Sequence, residues 1–184
     1  PHLISTRIPC CEIDKPNITK VKQQRLGELQ STNKLPHREI TFIPTKDLDN
    51  PSERRKLFNS LSQWMDSRQS FVLMEGVAYW ISQQSTDSLF KHLQQIQTAG
   101  SLLAINAFKP SEANKAMFHR LRKFSENVYG IKNFSPNTIN ERFHEHLSSY
   151  ELIESANYIN LSKQIDASKE LDDQESVLEE DCYL

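Results

Sequence analysis

Phe71-Val72-Leu73-Met74-Glu75-Gly76-Val77-Ala78-Tyr79-Trp80 runs four apolar residues directly into a carboxylate and a glycine, then an aromatic pair. A short unbroken apolar run closed by turn residues reads as a strand buried on both faces of a sheet. In open α/β sheets, ligands bind beyond the carboxyl ends of the strands. Glu75-Gly76 therefore stands where a ligand is expected, the glycine permitting close backbone approach. Two earlier stretches share the form: Ile8-Pro9-Cys10-Cys11-Glu12-Ile13-Asp14-Lys15-Pro16 and Ile40-Thr41-Phe42-Ile43-Pro44-Thr45-Lys46-Asp47-Leu48. Three strand ends that each close on an acid suggest one polar ligand spanning the sheet edge.

Around these stretches, strand and helix alternate. A strand near Ile8–Ile13 leads into a helix from about Asn17 to Leu29, and a polar loop leads to a strand at Ile40–Pro44. Asn50-Pro51-Ser52-Glu53 marks a helix start, with Asn50 as N-cap and Pro51 in the first turn. That helix spaces Leu57, Phe58, Leu61, Trp64 and Met65 along one face. After the strand at Ser70–Met74, a helix from Ser85 to Thr98 turns Leu89, Phe90, Leu93 and Ile96 inward. Gly100 ends it before a buried strand at Ser101–Phe108. Strand-helix repeats with short connections demand parallel strands and right-handed crossovers. The fold class is α/β, a doubly wound, mostly parallel, Rossmann-like sheet. Beyond it, residues 111–148 read as a helical insertion: one amphipathic helix over Ser111–Val128, and a second opened by Ser135-Pro136 carrying Ile139, Phe143 and Leu147. Glu151–Glu154 and Ser176–Leu184 form a closing antiparallel pair, with Leu161–Glu175 a loop or short helix between them.

At 184 residues, the chain can bury one core and reads most simply as a single domain. A net charge of −2 with scattered Lys and Arg gives no basic face for nucleic acid. Arg120-Leu121-Arg122-Lys123 reads as a solvated helix face. Cys10, Cys11 and Cys182 form no metal pattern and suit a reducing compartment. His144-Glu145-His146 lacks the i, i+4 spacing of a helical metal pair, so no metal is expected. His92 and His119 read as solvent-facing. No apolar run approaches a membrane span and Pro1–Ile8 has no signal-like core, so the reading is cytoplasmic, with no membrane partner.

The acidic strand ends have a recognisable order. Glu12-Ile13-Asp14-Lys15-Pro16 precedes a helix carrying Lys22, Asp47-Leu48 follows the next strand, and Glu75-Gly76-Val77-Ala78-Tyr79 closes the third. This series resembles the leucine carboxyl methyltransferase family, closely over Ile8–Phe108 and more loosely beyond. The resemblance implies a class I methyltransferase fold using S-adenosylmethionine. It implies that Glu12 holds the ribose hydroxyls, as a carboxylate accepting from two vicinal donors can, with Asp14 beside it. It further implies that Asp47 contacts the adenine amino group with Leu48 against the ring, and that Glu75 and Gly76 lie along the methionine end. Tyr79 and Trp80 would begin the helix facing the acceptor. Plainer roles stay open. Glu12 or Asp14 can cap the helix entered through Pro16, and Lys22 can be a structural partner of Asp14. Asp47 can be a turn residue, and Tyr79 and Trp80 core residues.

The departure from the family is at the front. Its first strand and glycine-rich loop should precede Glu12, yet none of the four glycines does. The expectation is the C-terminal part of a longer enzyme, with a degenerate binding or scaffold domain as the alternative. As an enzyme, the chain is expected to methylate an oxygen of a small molecule or a protein C-terminus. A carboxylate is favoured over a hydroxyl because no general base stands out. Catalytic residues and oligomeric state are not legible, and the 111–148 insertion is the expected acceptor lid.

Overall fold

The computed structural model describes residues 8–129, 138–139, 149–157 and 180–184. By contacts, the chain divides into two compact units, Pro1–Trp64 and Met65–Leu184.

In the first unit, β1 (Cys10–Asp14) and β2 (Ile40–Pro44) pair in parallel with Glu12 opposite Phe42 and Asp14 opposite Pro44. Helix α1 (Pro16–Ser31) connects them and packs on both. Pro16 suits a first helical turn, where its missing N–H costs nothing. The helix stops where Asn33 takes the left-handed conformation at φ 55°, a conformation asparagine tolerates better than most residues. Helix α2 (Pro51–Met65) begins as its sequence indicates: Asn50 Oδ1 accepts the backbone N–H groups of Ser52 and Glu53 at 2.9 and 3.3 Å. Leu57, Phe58, Leu61 and Met65 are buried. Trp64 is only half-buried, its indole N–H donating to Thr41 Oγ1 at 3.1 Å.

The second unit holds a four-stranded sheet in the order β3-β4-β6-β5. β3 (Phe71–Met74) and β4 (Leu102–Phe108) are parallel, and α3 (Gln83–Ile96) lies between them in sequence. β6 (Glu180–Tyr183) runs antiparallel to β4 and to β5 (Ser155–Asn157). The closing antiparallel pair is thus present, but its first strand starts after Glu154 rather than at Glu151. Ser82 caps α3, its hydroxyl accepting from Ser85 N–H, and Leu89, Phe90 and Leu93 are buried as their spacing indicates. Met74, Ile105, Ala107, Phe108 and Phe118 are buried with them. Gly100 sits at φ +81° in the turn before β4, pressed so closely on the Gln69 side chain that a Cβ there would collide.

Three expectations change. β3 is not buried on both faces. It is the edge strand of its sheet, and Phe71 and Leu73, two apart and on one face, are 59% and 60% exposed while Met74 on the other face is buried. Tyr79 and Trp80 do not begin a helix but belong to a 3-10 turn, Ala78–Trp80, that precedes α3. The helix expected over Ser111–Val128 is split, because Pro110 starts a short 3-10 segment to Asn114 before α4 (Ala116–Tyr129). The second insertion helix falls outside the described residues apart from Thr138, which makes an isolated parallel bridge to Phe108, and Ile139, which is buried. The Leu161–Glu175 segment and His144-Glu145-His146 also lie outside the described residues. Among the described residues no helix is long and apolar enough to cross a membrane.

Candidate functional site

The carboxyl ends of parallel strands lie on one edge of their sheet, and each unit presents such an edge. In the first unit it carries Asp14, the last residue of β1, and Asp47 and Leu48 three and four residues past β2, while Glu12 stands mid-strand two residues before Asp14 and on the same face. Lys22 of α1 reaches back to this edge. Its ammonium pairs with Glu12 Oε1 and stands 3.1 Å from Asp14 Oδ2. The hydrogen bond to Glu12 holds the Lys22 pKa above its ordinary value; burial, next in size, opposes it, and the bond to Asp14 and the two negative charges add to the rise. One cation thus fixes two carboxylates, and Lys22 serves both acids rather than Asp14 alone. Asp14 Oδ1 also accepts the Lys15 N–H at 2.7 Å. Neither acid caps α1, whose N-cap is Lys15 with no side-chain cap. Glu12 keeps its second oxygen, Oε2, without a partner among the described residues.

Asp47 is exposed, and its Oδ1 accepts the Asp49 N–H at 2.8 Å, a local turn of the kind aspartate favours. Leu48 is half-buried, and its carbonyl accepts from the buried Arg54 guanidinium. Below this edge Arg38, also buried, donates to the Ile8 carbonyl at 2.8 Å and to Cys10 Sγ at 2.9 Å. Burial, then the neighbouring Cys10 and Glu12, push the Cys11 thiol up to about 11. None of Cys10, Cys11 and Cys182 is in a disulfide.

In the second unit, the edge carries Glu75, Gly76, Tyr79 and Trp80 beyond β3. Glu75 is exposed and makes no hydrogen bond or ion pair among the described residues. An exposed carboxylate carries no burial cost, so the penalty its place after an apolar run suggests does not arise. Gly76 has φ +66°, and its N–H donates to Asn106 Oδ1 of β4 at 2.8 Å. The Tyr79 ring lies on Phe108 with centroids 4.8 Å apart, Phe108 meets Phe118 edge-on at 5.8 Å, and Trp80 stands 5.8 Å from Tyr79. Tyr79 is therefore mainly a packing residue, while Trp80 is 39% exposed. Asn106 carries no local sequence signal: it stands inside an apolar strand, and its partner is thirty residues away.

Elsewhere in this unit His119 is exposed, but His92 is half-buried with Nδ1 2.6 Å from the Ser88 carbonyl oxygen, so it does not face solvent as expected. Among the described residues no three His, Cys, Asp or Glu side chains are grouped to hold a metal ion.

A model of the family described as leucine carboxyl methyltransferase matches residues 2–94, half of the chain and a span that includes every acid, glycine and aromatic residue of the two edges except Asn106, Phe108 and Phe118. Among curated protein sequences none matches. The fold is similar to that of a duf574 family protein from Streptomyces avermitilis, with TM-score 0.61, 14% identity, and 94% of this chain covering 63% of that one. It is similar also to a protein from Thermobifida fusca, with TM-score 0.57, 13% identity, and coverage of 99% and 65%. A SAM-dependent methyltransferase from Anabaena variabilis follows at TM-score 0.51, 10% identity, and coverage of 98% and 77%. At such identities the likeness is one of fold, and the chain spans less than two thirds of the first two proteins.

Proposed function

The chain belongs to the leucine carboxyl methyltransferase family, and we propose that it binds S-adenosylmethionine and methylates an oxygen, a carboxylate in preference to a hydroxyl, on a small molecule or a protein C-terminus. The observation that supports this most is the state of Glu12. It stands in the middle of a parallel strand, two residues before Asp14 and on the same face, with one oxygen held by Lys22 and the other without a partner among the described residues, which leaves it capacity to accept from hydroxyls.

In this reading Glu12 accepts the two ribose hydroxyls, and Lys22 holds it in place, with Asp14 as the second anchor. Asp47 Oδ2 accepts the adenine amino group and Leu48 lies against the ring. Glu75 and Gly76 serve the methionine end, and Trp80 lines the acceptor side with Tyr79 behind it. Held by Glu12, Asp47 and Gly76, S-adenosylmethionine would supply a methyl group activated by its sulfonium for transfer to an acceptor oxygen. A carboxylate acceptor carries no proton to remove, so the chain's residues need only position it. We place this chemistry in the cytoplasm, without nucleic acid or membrane as partner.

Titration of the full chain with S-adenosylhomocysteine by calorimetry tests the proposal. Saturable binding is expected, weakened at least tenfold by Glu12→Ala, since hydrogen bonds to a charged acceptor contribute about 1.5–3 kcal/mol each. No heat from a well-folded chain overturns the catalytic reading in favour of a scaffold that has lost the cofactor.

A further inference from the structure

We propose that Asn106 is a positioning residue for the methionine end of the cofactor site, acting through the backbone of Gly76; this inference rests on the cofactor reading above and extends it to a residue outside the matched span.

The argument begins with Glu75. Its side chain has no partner among the described residues, so its direction is set by its own backbone and by the turn that follows. That turn leaves the sheet through Gly76 at φ +66°, which glycine reaches at no steric cost and other residues rarely adopt. A glycine that is free to move does not hold a neighbour in place, so something else must restrain it.

β4 supplies the restraint at two points. Asn106 and Phe108 are two apart and project on the same face of the strand. Asn106 Oδ1 accepts the Gly76 N–H at 2.8 Å, and the Phe108 ring lies 4.8 Å from that of Tyr79. Successive same-face residues of one strand thus grip both ends of the turn from Gly76 to Tyr79. The grip closes on itself, because the Tyr79 hydroxyl sits 3.1 Å from where a Cβ on Gly76 would stand. Asparagine side chains commonly bond to nearby backbone within their own segment. Here the acceptor is spent on the neighbouring strand's turn, in a position flanked by the buried Ile105 and Ala107 where an apolar residue would otherwise suit the strand. That choice is explained if the turn must be held for a ligand.

Two measurements on the full chain test this. The first needs no ligand: amide hydrogen exchange at Gly76 is expected to be slow in the wild type, fast in Asn106→Ala, and slow again in Asn106→Asp, which keeps an acceptor oxygen. The second is calorimetric titration with S-adenosylhomocysteine. Loss of one neutral hydrogen bond corresponds to a roughly three- to tenfold weaker affinity in Asn106→Ala, with Asn106→Asp within about twofold of wild type. A merely structural asparagine predicts instead that both variants lose affinity in step with their melting temperatures. Rapid exchange at Gly76 in the wild type overturns the proposal, as does Asn106→Ala binding as tightly as wild type. Those outcomes leave the cofactor reading standing. A wild type with a protected Gly76 amide that takes up no S-adenosylhomocysteine removes the cofactor reading and this role with it.

Discussion

At the carboxyl end of β1 and β2 the prominent side chains are charged, and one lysine holds two acids in place. At the carboxyl end of β3 and β4 the restraint is neutral: a side-chain amide on a backbone N–H and a row of aromatic rings. Both are parallel pairs joined through a helix, so topology does not explain the difference. On the proposed cofactor reading it follows from what each edge must offer. An acid that accepts hydroxyls needs a partner that holds its carboxylate in place, which a charged donor does well. A turn that lies along a ligand must hold a backbone shape, which packing and one hydrogen bond supply without charge. The first edge should therefore respond to salt and pH, and the second to packing.

The largest effect that separates the two regions is on stability. Phe90 of α3 is 2% exposed, whereas Val21 of α1 is 64% exposed. Phe90→Ala is expected to cost about 3–5 kcal/mol by loss of burial and cavity formation. Val21→Ala should stay within about 0.5 kcal/mol, as surface changes do. Urea denaturation of the two variants measures this. Equal losses would mean that α1 is covered in solution and that the contrast between the regions is wrong.

A smaller effect sharpens the electrostatic side. Lys22→Met leaves two carboxylates together without their cation, and S-adenosylhomocysteine affinity is expected to fall about two- to fivefold at low salt. Because the Lys22 side chain is 46% exposed, the pair's contribution to folding is only about 0.5 kcal/mol. Its sign with pH is fixed by the raised pKa. The contribution is complete below the ordinary lysine value and is lost as pH rises through the higher folded value. Raising the salt to about 1 M should shrink the difference between variant and wild type, because screening then acts within a few ångströms. Asn106→Ala, by contrast, should show the same affinity loss at both salt concentrations.

The sequence shows these regions unequally. β2, α2, α3 and β4 lie within a residue or two of where apolar spacing and helix-end signals put them, because those signals are local: Asn50 before Pro51, Gly100 after α3, the apolar run along Leu102–Phe108. The acids of the first edge are equally visible, since they sit in one short motif with the lysine that serves them. β3 misleads because an apolar run reports what a strand is made of, not how many neighbours it has, and only pairing reveals that Phe71 and Leu73 face outward. Asn106 is invisible for the complementary reason. Its meaning comes wholly from a contact between strands, and nothing within a few residues of it announces a turn thirty positions earlier.

The finest test compares two groups shifted by burial, one in each unit. Cys11 is pushed up to about 11 by burial together with the charges of Cys10 and Glu12, while Tyr150, whose hydroxyl donates to Gln97, is pushed up to about 12 by burial alone. Both groups stay neutral in the folded chain over a range where they ionise when unfolded. The stability they confer is therefore complete below the unfolded values, near 8.5 and 10, and is lost as pH rises through about 11 and about 12. Alkylation of Cys11 followed by mass spectrometry, and tyrosinate absorbance, should place the two transitions in that order. Added salt discriminates between their causes: it screens the charges around Cys11 and should lower its transition slightly, but it cannot rehydrate a buried phenol, so the Tyr150 transition should not move. If both shift together, the first edge is no more electrostatic than the second unit, and the division between a charged edge and a neutral one loses its basis.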